Sequence, residues 1–332
     1  MRDTTATPSL HGDAVPTRSV AGPDEEFFQS YPELHHYTGW GGLQGIFTNN
    51  TMFASHYKHL NDDTEIEHMM EYFKQLIPIP GNRAQRRRLQ SNIPDLYRKT
   101  FTRFVTPYVV SFSTHAHGTD FDRENGLLSQ WFRPLGSLSG GYGRHGYAIV
   151  FDTRRLDVLM RREFERYCYT QTTLSNVVYN TGIERFKSEY ASLINEAAWF
   201  LWQKTEKEYD RAEEFINRFI ASTVSFKHSK WSNEHEVRIV AHPKDRSELQ
   251  YIADSDPDDI KALRNRQIKE ISQLGSKPII KLFEGLGEDL PIKRIIVAPD
   301  EDQERLRQQV ANLVGTKIPI HISAIPIPTL SI

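Results

Sequence analysis

One cysteine, Cys168, stands in a chain of 332 residues. Neither an intramolecular disulfide nor a cysteine-built zinc site can form, as befits a reducing compartment. With no histidine near it in sequence, Cys168 reads as a small packed residue rather than a nucleophile. No apolar run approaches the roughly 20 residues that span a bilayer. The first twenty residues mix Arg2, Asp3, Asp13 and Arg18 with Ser, Thr and Pro and lack the hydrophobic segment of a secretion signal. The expectation is a cytoplasmic protein that makes no use of a membrane. Net charge is only −2, so any contact with nucleic acid must come from a local patch rather than a global field.

Several catalytic signatures are missing as well. There is no phosphate loop ending in Gly-Lys-Ser/Thr, no nucleophile elbow, no zinc-protease helix and no dinucleotide glycine fingerprint after a strand. Gly140-Gly141-Tyr142-Gly143 has the glycines, but a strand pattern follows where a helix is required. Kinases, P-loop enzymes and Rossmann dehydrogenases are therefore excluded.

What is present concentrates between His35 and Ser55. His35, His36, Tyr37 and Thr38 precede Gly39, Gly41 and Gly42, then a short helix bearing Leu43, Ile46 and Phe47, then a strand from Met52. Packing alone needs neither so much polar chemistry nor so much backbone freedom, which marks a nucleotide-binding corner.

Residues 1–23 read as a disordered lead, and residues 24–332 as one α+β domain in which 181–225 form a helical insertion. A helix is predicted from about Asp62 to Leu76, with Asp62 and Glu65 at capping-box spacing. A second is predicted over Arg83–Val105, and long helices over Ile183–Lys204 and Glu208–Thr223. Strands are predicted at Tyr108–Ser113, Tyr147–Phe151, Glu163–Thr170 and Asn176–Tyr179. More follow at Ile279–Phe283, Ile292–Ala298 and Ile318–Ser323, with a helix over Asp302–Val314. Gly136–Gly146 reads as a mobile lid.

Near Trp231 an irregular stretch becomes a strand. Period-2 alternation places Glu234, Glu236 and Arg238 on one face and Val237, Ile239 and Ala241 on the other, so the carboxylates are expected to look outward into a cleft. The same charges also have a plain reading as a surface ladder, which contributes little. Arg83, Arg86, Arg87 and Arg88 form the densest basic cluster, either a solvated helical face or a phosphate contact. Among thirteen histidines, His56/His59 and His115/His117 have ligand-like spacings but no carboxylate at a motif distance, so no metal is expected.

Several of these residues together resemble one bacterial family. They are His36-Tyr37-Thr38 with Leu43 and Ile46, Leu60-Asn61-Asp62 with Glu65, and Ser111-Phe112-Ser113. The series continues with Leu128 and Trp131, Gly146–Phe151, and Trp231 with Glu234, Glu236 and Arg238. The family is catalogued as domain of unknown function 2971 and is tied to abortive phage infection. The resemblance runs in order from Leu34 to Pro326.

A weaker resemblance supplies chemistry. A His-Tyr strand leading into a small helix, a serine-centred middle strand and a glutamate on a late strand are similar to the order found in ADP-ribosyltransferases, including DarT-like enzymes and RNA 2′-phosphotransferases. That resemblance implies a split, mostly antiparallel β-sheet with surrounding helices, and NAD⁺ as substrate bound in the split. His36 would hold the ribose, and Tyr37 and Thr38 the dinucleotide. Ser111 or Ser113 would mark the middle strand, and Tyr57 or Tyr142 would stack on nicotinamide. Glu236 would be the catalytic carboxylate with Glu234 in support. The implied acceptor is a nucleic acid or a protein, and the implied partner an antitoxin or defence component. A nuclease or RNA phosphotransferase using the same groups, and a nucleotide-sensing or antitoxin-like module without turnover, are the alternatives.

Overall fold

The computed structural model describes residues 25–60, 65–78, 83, 87, 107–115, 119–134, 142–144, 146–179, 182–202, 222, 224, 226–255 and 263–327. The expected lead, the Asp62 cap and most of the Arg83–Val105 and Glu208–Thr223 helices lie outside these residues.

The described elements mix strands and helices along the chain. In order they are α1 (Glu25–Ser30), β1 (Glu33–Thr38), α2 (Trp40–Asn49), β2 (Met52–His56), α3 (Glu65–Leu76), β3 (Tyr108–Ser113), α4 (Asp120–Asn125), α5 (Leu128–Trp131), β4 (Phe132–Pro134), β5 (Tyr142–Arg144), β6 (Tyr147–Asp152) and α6 (Thr153–Arg166). There follow β7 (Tyr169–Asn176), β8 (Val178–Tyr179), α7 (Ile183–Glu189), α8 (Ala191–Trp202), β9 (Phe226–Lys227), β10 (Glu236–Pro243), α9 (Arg246–Ser255), β11 (Ile271–Leu274), β12 (Lys277–Leu282), β13 (Ile292–Val297), α10 (Gln303–Val314) and β14 (Ile320–Ile322). Short 3₁₀ turns occupy Tyr57–His59 and Ser229–Glu234.

Ten strands form one sheet, ordered β11-β12-β2-β3-β1-β6-β13-β14, with β10 and then β7 extending from β3. All its pairings are antiparallel except β13 with β14, so the expected mostly antiparallel sheet is present.

The branch at β3 matters most. Along one edge it pairs with β10 over its full length, from Glu236↔Ser113 to Ala241↔Tyr108. Its other edge is shared, because β2 takes Tyr108 and Val109 while β1 takes Ser113 alone. The sheet divides between those contacts, at Val110–Phe112, into a β2-β12-β11 wing and a β1-β6-β13-β14 wing.

Alternation along the strands sends Leu34, Phe112, Ile149, Phe151, Val237 and Ile239 into the main apolar core, against Leu43 and Ile46 of α2, Leu156, Leu159, Met160 and Phe164 of α6, and Val310 of α10. Gly42 lies where the first turn of α2 meets β1, and a Cβ there would fall 2.0 Å from Thr38 Oγ1. Glycine is what permits that approach, and the consequence is that Thr38 faces the helix.

Three sequence expectations are corrected. Glu163–Thr170 is not one strand, because Glu163–Arg166 closes α6 and only Tyr169 and Thr170 belong to β7. Asp152 caps α6 by accepting from the Arg155 amide at 2.9 Å, and the helix buries Leu156, Leu159, Met160, Glu163 and Phe164 at helical spacing before ending at Tyr167. The aromatic run imitates a strand, but the helix burial period overrides it. Ile183–Lys204 is two helices, broken at Tyr190. Part of Gly136–Gly146 is not loop, since β5 pairs with β4 through Phe132↔Arg144.

Candidate functional site

The described residues contain a cleft of about 250 Å³ at the point where the sheet divides. His35, His36 and Tyr37 of β1 line it from one wing and Phe53 and Ser55 of β2 from the other, with Ser111 and Ser113 of β3 between them. Lys227, Glu234, Glu236 and Arg238 line its charged side.

His36 spans the division. Its Nδ1–H donates to the Ser111 carbonyl at 3.0 Å, which fixes the tautomer and leaves Nε2 as an acceptor. Burial holds its pKa below the ordinary 6.5, partly offset by that bond, so the ring is neutral near pH 7. Its edge packs against Phe112, with ring centroids 5.8 Å apart.

Glu236 opens β10 and lines the cleft, but it is 6 % exposed, so its carboxylate is ion-paired within the wall rather than open to solvent. Arg238 Nε donates to Oε1 at 2.7 Å, and Oε2 accepts from Arg238 Nη2 at 3.2 Å and from Lys227 Nζ at 3.0 Å. Burial alone would raise the Glu236 pKa. The opposing charges of Arg238 and Lys227, together with hydrogen bonds from Arg238 and Ser111, instead hold it far below the carboxylate range. The Glu236 amide donates to the Tyr179 hydroxyl at 2.8 Å, anchoring the strand end.

Glu234 does not share the Glu236 strand face, which is a correction at this site. It ends the 3₁₀ turn Ser229–Glu234, and the chain then passes through His235 at φ 44° before β10 begins. That left-handed residue rotates Glu234 out of the alternation. The two carboxylates nevertheless meet on one cation, since Lys227 Nζ also reaches Glu234 Oε2 at 2.6 Å.

Lys227 is the residue that sequence reasoning overlooked. It is 3 % exposed and sits in β9, beside Tyr179 of β8 in a parallel pair. Its one sequence cue is a lysine next to Phe226 at the head of a stretch without periodicity. Burial of a charged lysine with two carboxylates makes a neutral set of two cations and two anions.

The remaining predicted residues divide. Tyr37, Ser111 and Ser113 line the cleft, whereas Thr38 turns to α2 and Tyr57 is buried beside His56. The Tyr142 side chain, Arg86 and Arg88 lie outside the described residues. Arg83 and Arg87 are exposed and are not among the cleft residues. His56 and His59 are neighbours with ring centroids 6.1 Å apart, and His59 lines the cleft. Among the described residues no group of three or more His, Cys, Asp or Glu is arranged to hold a metal ion. None of the described helices is long and apolar enough to cross a membrane.

The fold and site thus define an α+β protein with a divided antiparallel sheet and a charged cleft at the division. Residues 140–239 match the family model described as a protein of unknown function (DUF2971). The match carries Lys227, Glu234, Glu236 and Arg238 but stops short of β1, β2 and β3. No curated protein and no solved structure matches the chain.

Proposed function

We propose that the cleft binds NAD⁺ and that the protein transfers ADP-ribose from it to a nucleic-acid or protein acceptor, as an effector in phage defence. The observation that carries this reading is that His36 of β1 and Glu236 of β10 both line the cleft where the sheet divides, Glu236 from the face that carries Ser111 and Ser113 and His36 from the edge that meets Phe112. The two residues are two hundred positions apart in sequence. A cleft of about 250 Å³ suits the nicotinamide-ribose end of the dinucleotide, with the adenosine end beyond it.

In this mechanism the bond between C1′ and the nicotinamide nitrogen breaks, and nicotinamide leaves with the electron pair. Positive charge develops on the ribose, and an acceptor oxygen or nitrogen bonds to C1′ and gives up its proton to solvent water. Glu236, kept ionised by Arg238 and Lys227, supplies fixed negative charge beside that ribose. His36 offers its Nε2 lone pair to a ribose hydroxyl. Glu234 supports the acceptor.

A second reading has its own observation. Both Glu236 oxygens are already engaged by cations, an arrangement equally suited to recognising a nucleotide without turning it over. Nicotinamide release from NAD⁺, measured with and without DNA, RNA and protein acceptors, separates the two. Turnover that Glu236→Gln abolishes while NAD⁺ still raises the melting temperature supports the transferase. Stabilisation without turnover under any condition supports the sensor, and absence of both sinks each reading.

A further inference from the structure

Part of the cleft wall comes from α5, whose four residues point in four directions. Leu128 is exposed, the Ser129 hydroxyl donates to the Asn233 carbonyl at 3.2 Å, and Trp131 is buried with its Nε1–H donating to the Asn125 carbonyl at 2.9 Å. That leaves Gln130, which is 5 % exposed and lines the cleft. Its side-chain carboxamide has no hydrogen-bond partner among the described residues. A primary amide carries two donors and an acceptor, and a buried one is normally satisfied. Ser113 of β3, also buried and also in the lining, likewise has a hydroxyl without a partner among the described residues.

The frame around Gln130 is fixed on two sides. Toward β1, the Leu127 amide donates to the Tyr37 hydroxyl at 2.7 Å, and the Trp131 and Tyr37 rings meet edge to face with centroids 4.8 Å apart. Toward β10, Ser129 ties the helix to the turn that carries Glu234. Gly126, at φ 83°, lets the Trp131 ring lie where a Cβ would stand 2.6 Å from it. An amide held this way loses little freedom when a ligand arrives. Its complement is a planar group with a donor beside an acceptor, as a second carboxamide has. Charge argues the same way. Of the lysines and arginines in the lining, Lys227 and Arg238 are held by Glu234 and Glu236, and Lys277 stands on the β12 wing. Among the lining residues a ligand carboxylate at Gln130 therefore lacks a counter-charge, whereas an uncharged carboxamide needs none.

We propose that Gln130 is the residue by which the cleft selects an uncharged aromatic carboxamide, with the Ser113 hydroxyl as a second contact. This inference rests on the NAD⁺ reading and deepens it by assigning the end of the dinucleotide that lies at α5. The nicotinamide N–H donates to Gln130 Oε1, and its carbonyl accepts from Gln130 Nε2. Ser113 stands directly across from Glu236 in the β3–β10 register, so a nicotinamide held by Gln130 and Ser113 brings its ribose toward Glu236.

Calorimetric titration of the full chain with NAD⁺, ADP-ribose, nicotinamide and nicotinic acid tests it. ADP-ribose lacks the nicotinamide, and nicotinic acid carries a carboxylate in place of the carboxamide. The wild type is expected to prefer nicotinamide to nicotinic acid by about tenfold. Gln130→Met keeps the side-chain length without the polar atoms; it should weaken NAD⁺ and nicotinamide about tenfold and leave ADP-ribose unchanged. Ser113→Ala should weaken NAD⁺ about threefold, again with ADP-ribose unchanged. Should Gln130→Met fail to fold by circular dichroism, Gln130→Glu keeps the shape, cannot donate, and should weaken nicotinamide at least as much. NAD⁺ affinity unchanged in the Gln130 variants, equal losses for NAD⁺ and ADP-ribose, or nicotinic acid bound by the wild type as well as nicotinamide overturns this inference alone. A wild type that binds neither NAD⁺ nor ADP-ribose overturns the NAD⁺ reading and this inference together.

Discussion

Glu163 and Glu236 are buried glutamates each held by a lysine, and they differ in what surrounds them. Glu163 of α6 is 1 % exposed; its Oε1 takes Lys269 Nζ and the Tyr169 hydroxyl, both at 2.7 Å, and its Oε2 takes the Phe283 amide at 3.0 Å. Phe283 follows β12 at φ 69°, and the carboxylate secures that turn to the helix. Glu163 is not among the residues that line the cleft. Glu236 has comparable burial and two cations, yet it forms part of a cleft wall together with His36 and Ser111. The contrast teaches that burial and ion pairing do not separate a structural carboxylate from a functional candidate. What separates them is whether a ligand can reach the carboxylate, which depends on where the sheet is closed and where it divides.

The largest way to break this comparison is Glu163→Ala. It leaves Lys269 buried and unpaired, and a loss of about 3–5 kcal/mol is expected in urea unfolding. Nicotinamide release per folded molecule should stay at the wild-type level. An unfolding midpoint that does not move would remove the structural half of the contrast.

Glu236→Gln should reverse the pattern, lowering turnover by roughly 10²–10⁴ with a smaller stability loss of about 1–3 kcal/mol. Steady-state rates and unfolding curves on the same preparation decide it. An equal loss in both quantities would make Glu236 a second Glu163.

Lys227→Met sharpens the comparison from the cation side. It removes one of the two charges that hold Glu236 low, so the acid limb of the rate profile should move to higher pH while Glu236→Gln shows no such limb. A profile identical to wild type would leave Arg238 as the sole determinant.

The smallest effect is a pH dependence of stability shared by the buried histidines. The folded pKa values of His35, His115 and His242 are depressed, the first well below 6.5, the second to about 4 and the third to about 3, in each case chiefly by burial. The unfolded chain therefore binds protons first as pH falls below 6.5. Stability present above pH 6.5 is lost on the way down, at up to about 1.4 kcal/mol per pH unit for each histidine that stays neutral. Glu236 adds a later loss, below its ordinary value of 4.5. Urea midpoints at pH 7, 6 and 5 should fall steadily, and a flat series above pH 5 would contradict the burial of these rings.

Much of this was legible from alternation and periodicity. β3, β6, β10 and β13 are runs of β-branched and aromatic residues with clear bounds, and α10 carries its apolar stripe between Asp302 and Gly315. His36 and Glu236 could be singled out because each sits on a readable strand. Glu234 was misplaced because a single left-handed residue, His235, breaks the alternation, and nothing short of the backbone angle announces it. Lys227 and Gln130 escaped because their meaning lies in contacts across distant segments, which local spacing does not encode.

The division of the sheet at β3 also governs when the site can exist. Its strands are drawn from nearly the whole chain: β1 near residue 35, β3 near 111, β10 near 236 and β12, which carries Lys277 to the rim. Such non-local pairing folds slowly, because each loop must close before its contacts reward it. A ribosome-bound chain that has displayed His36 has no cleft until Lys227 and Glu236 have emerged, roughly 10 to 40 s later at typical rates of synthesis. Whatever the cleft does, it cannot begin before Glu236 and Lys277 have been synthesised, and a chain terminated before Lys227 lacks its charged wall.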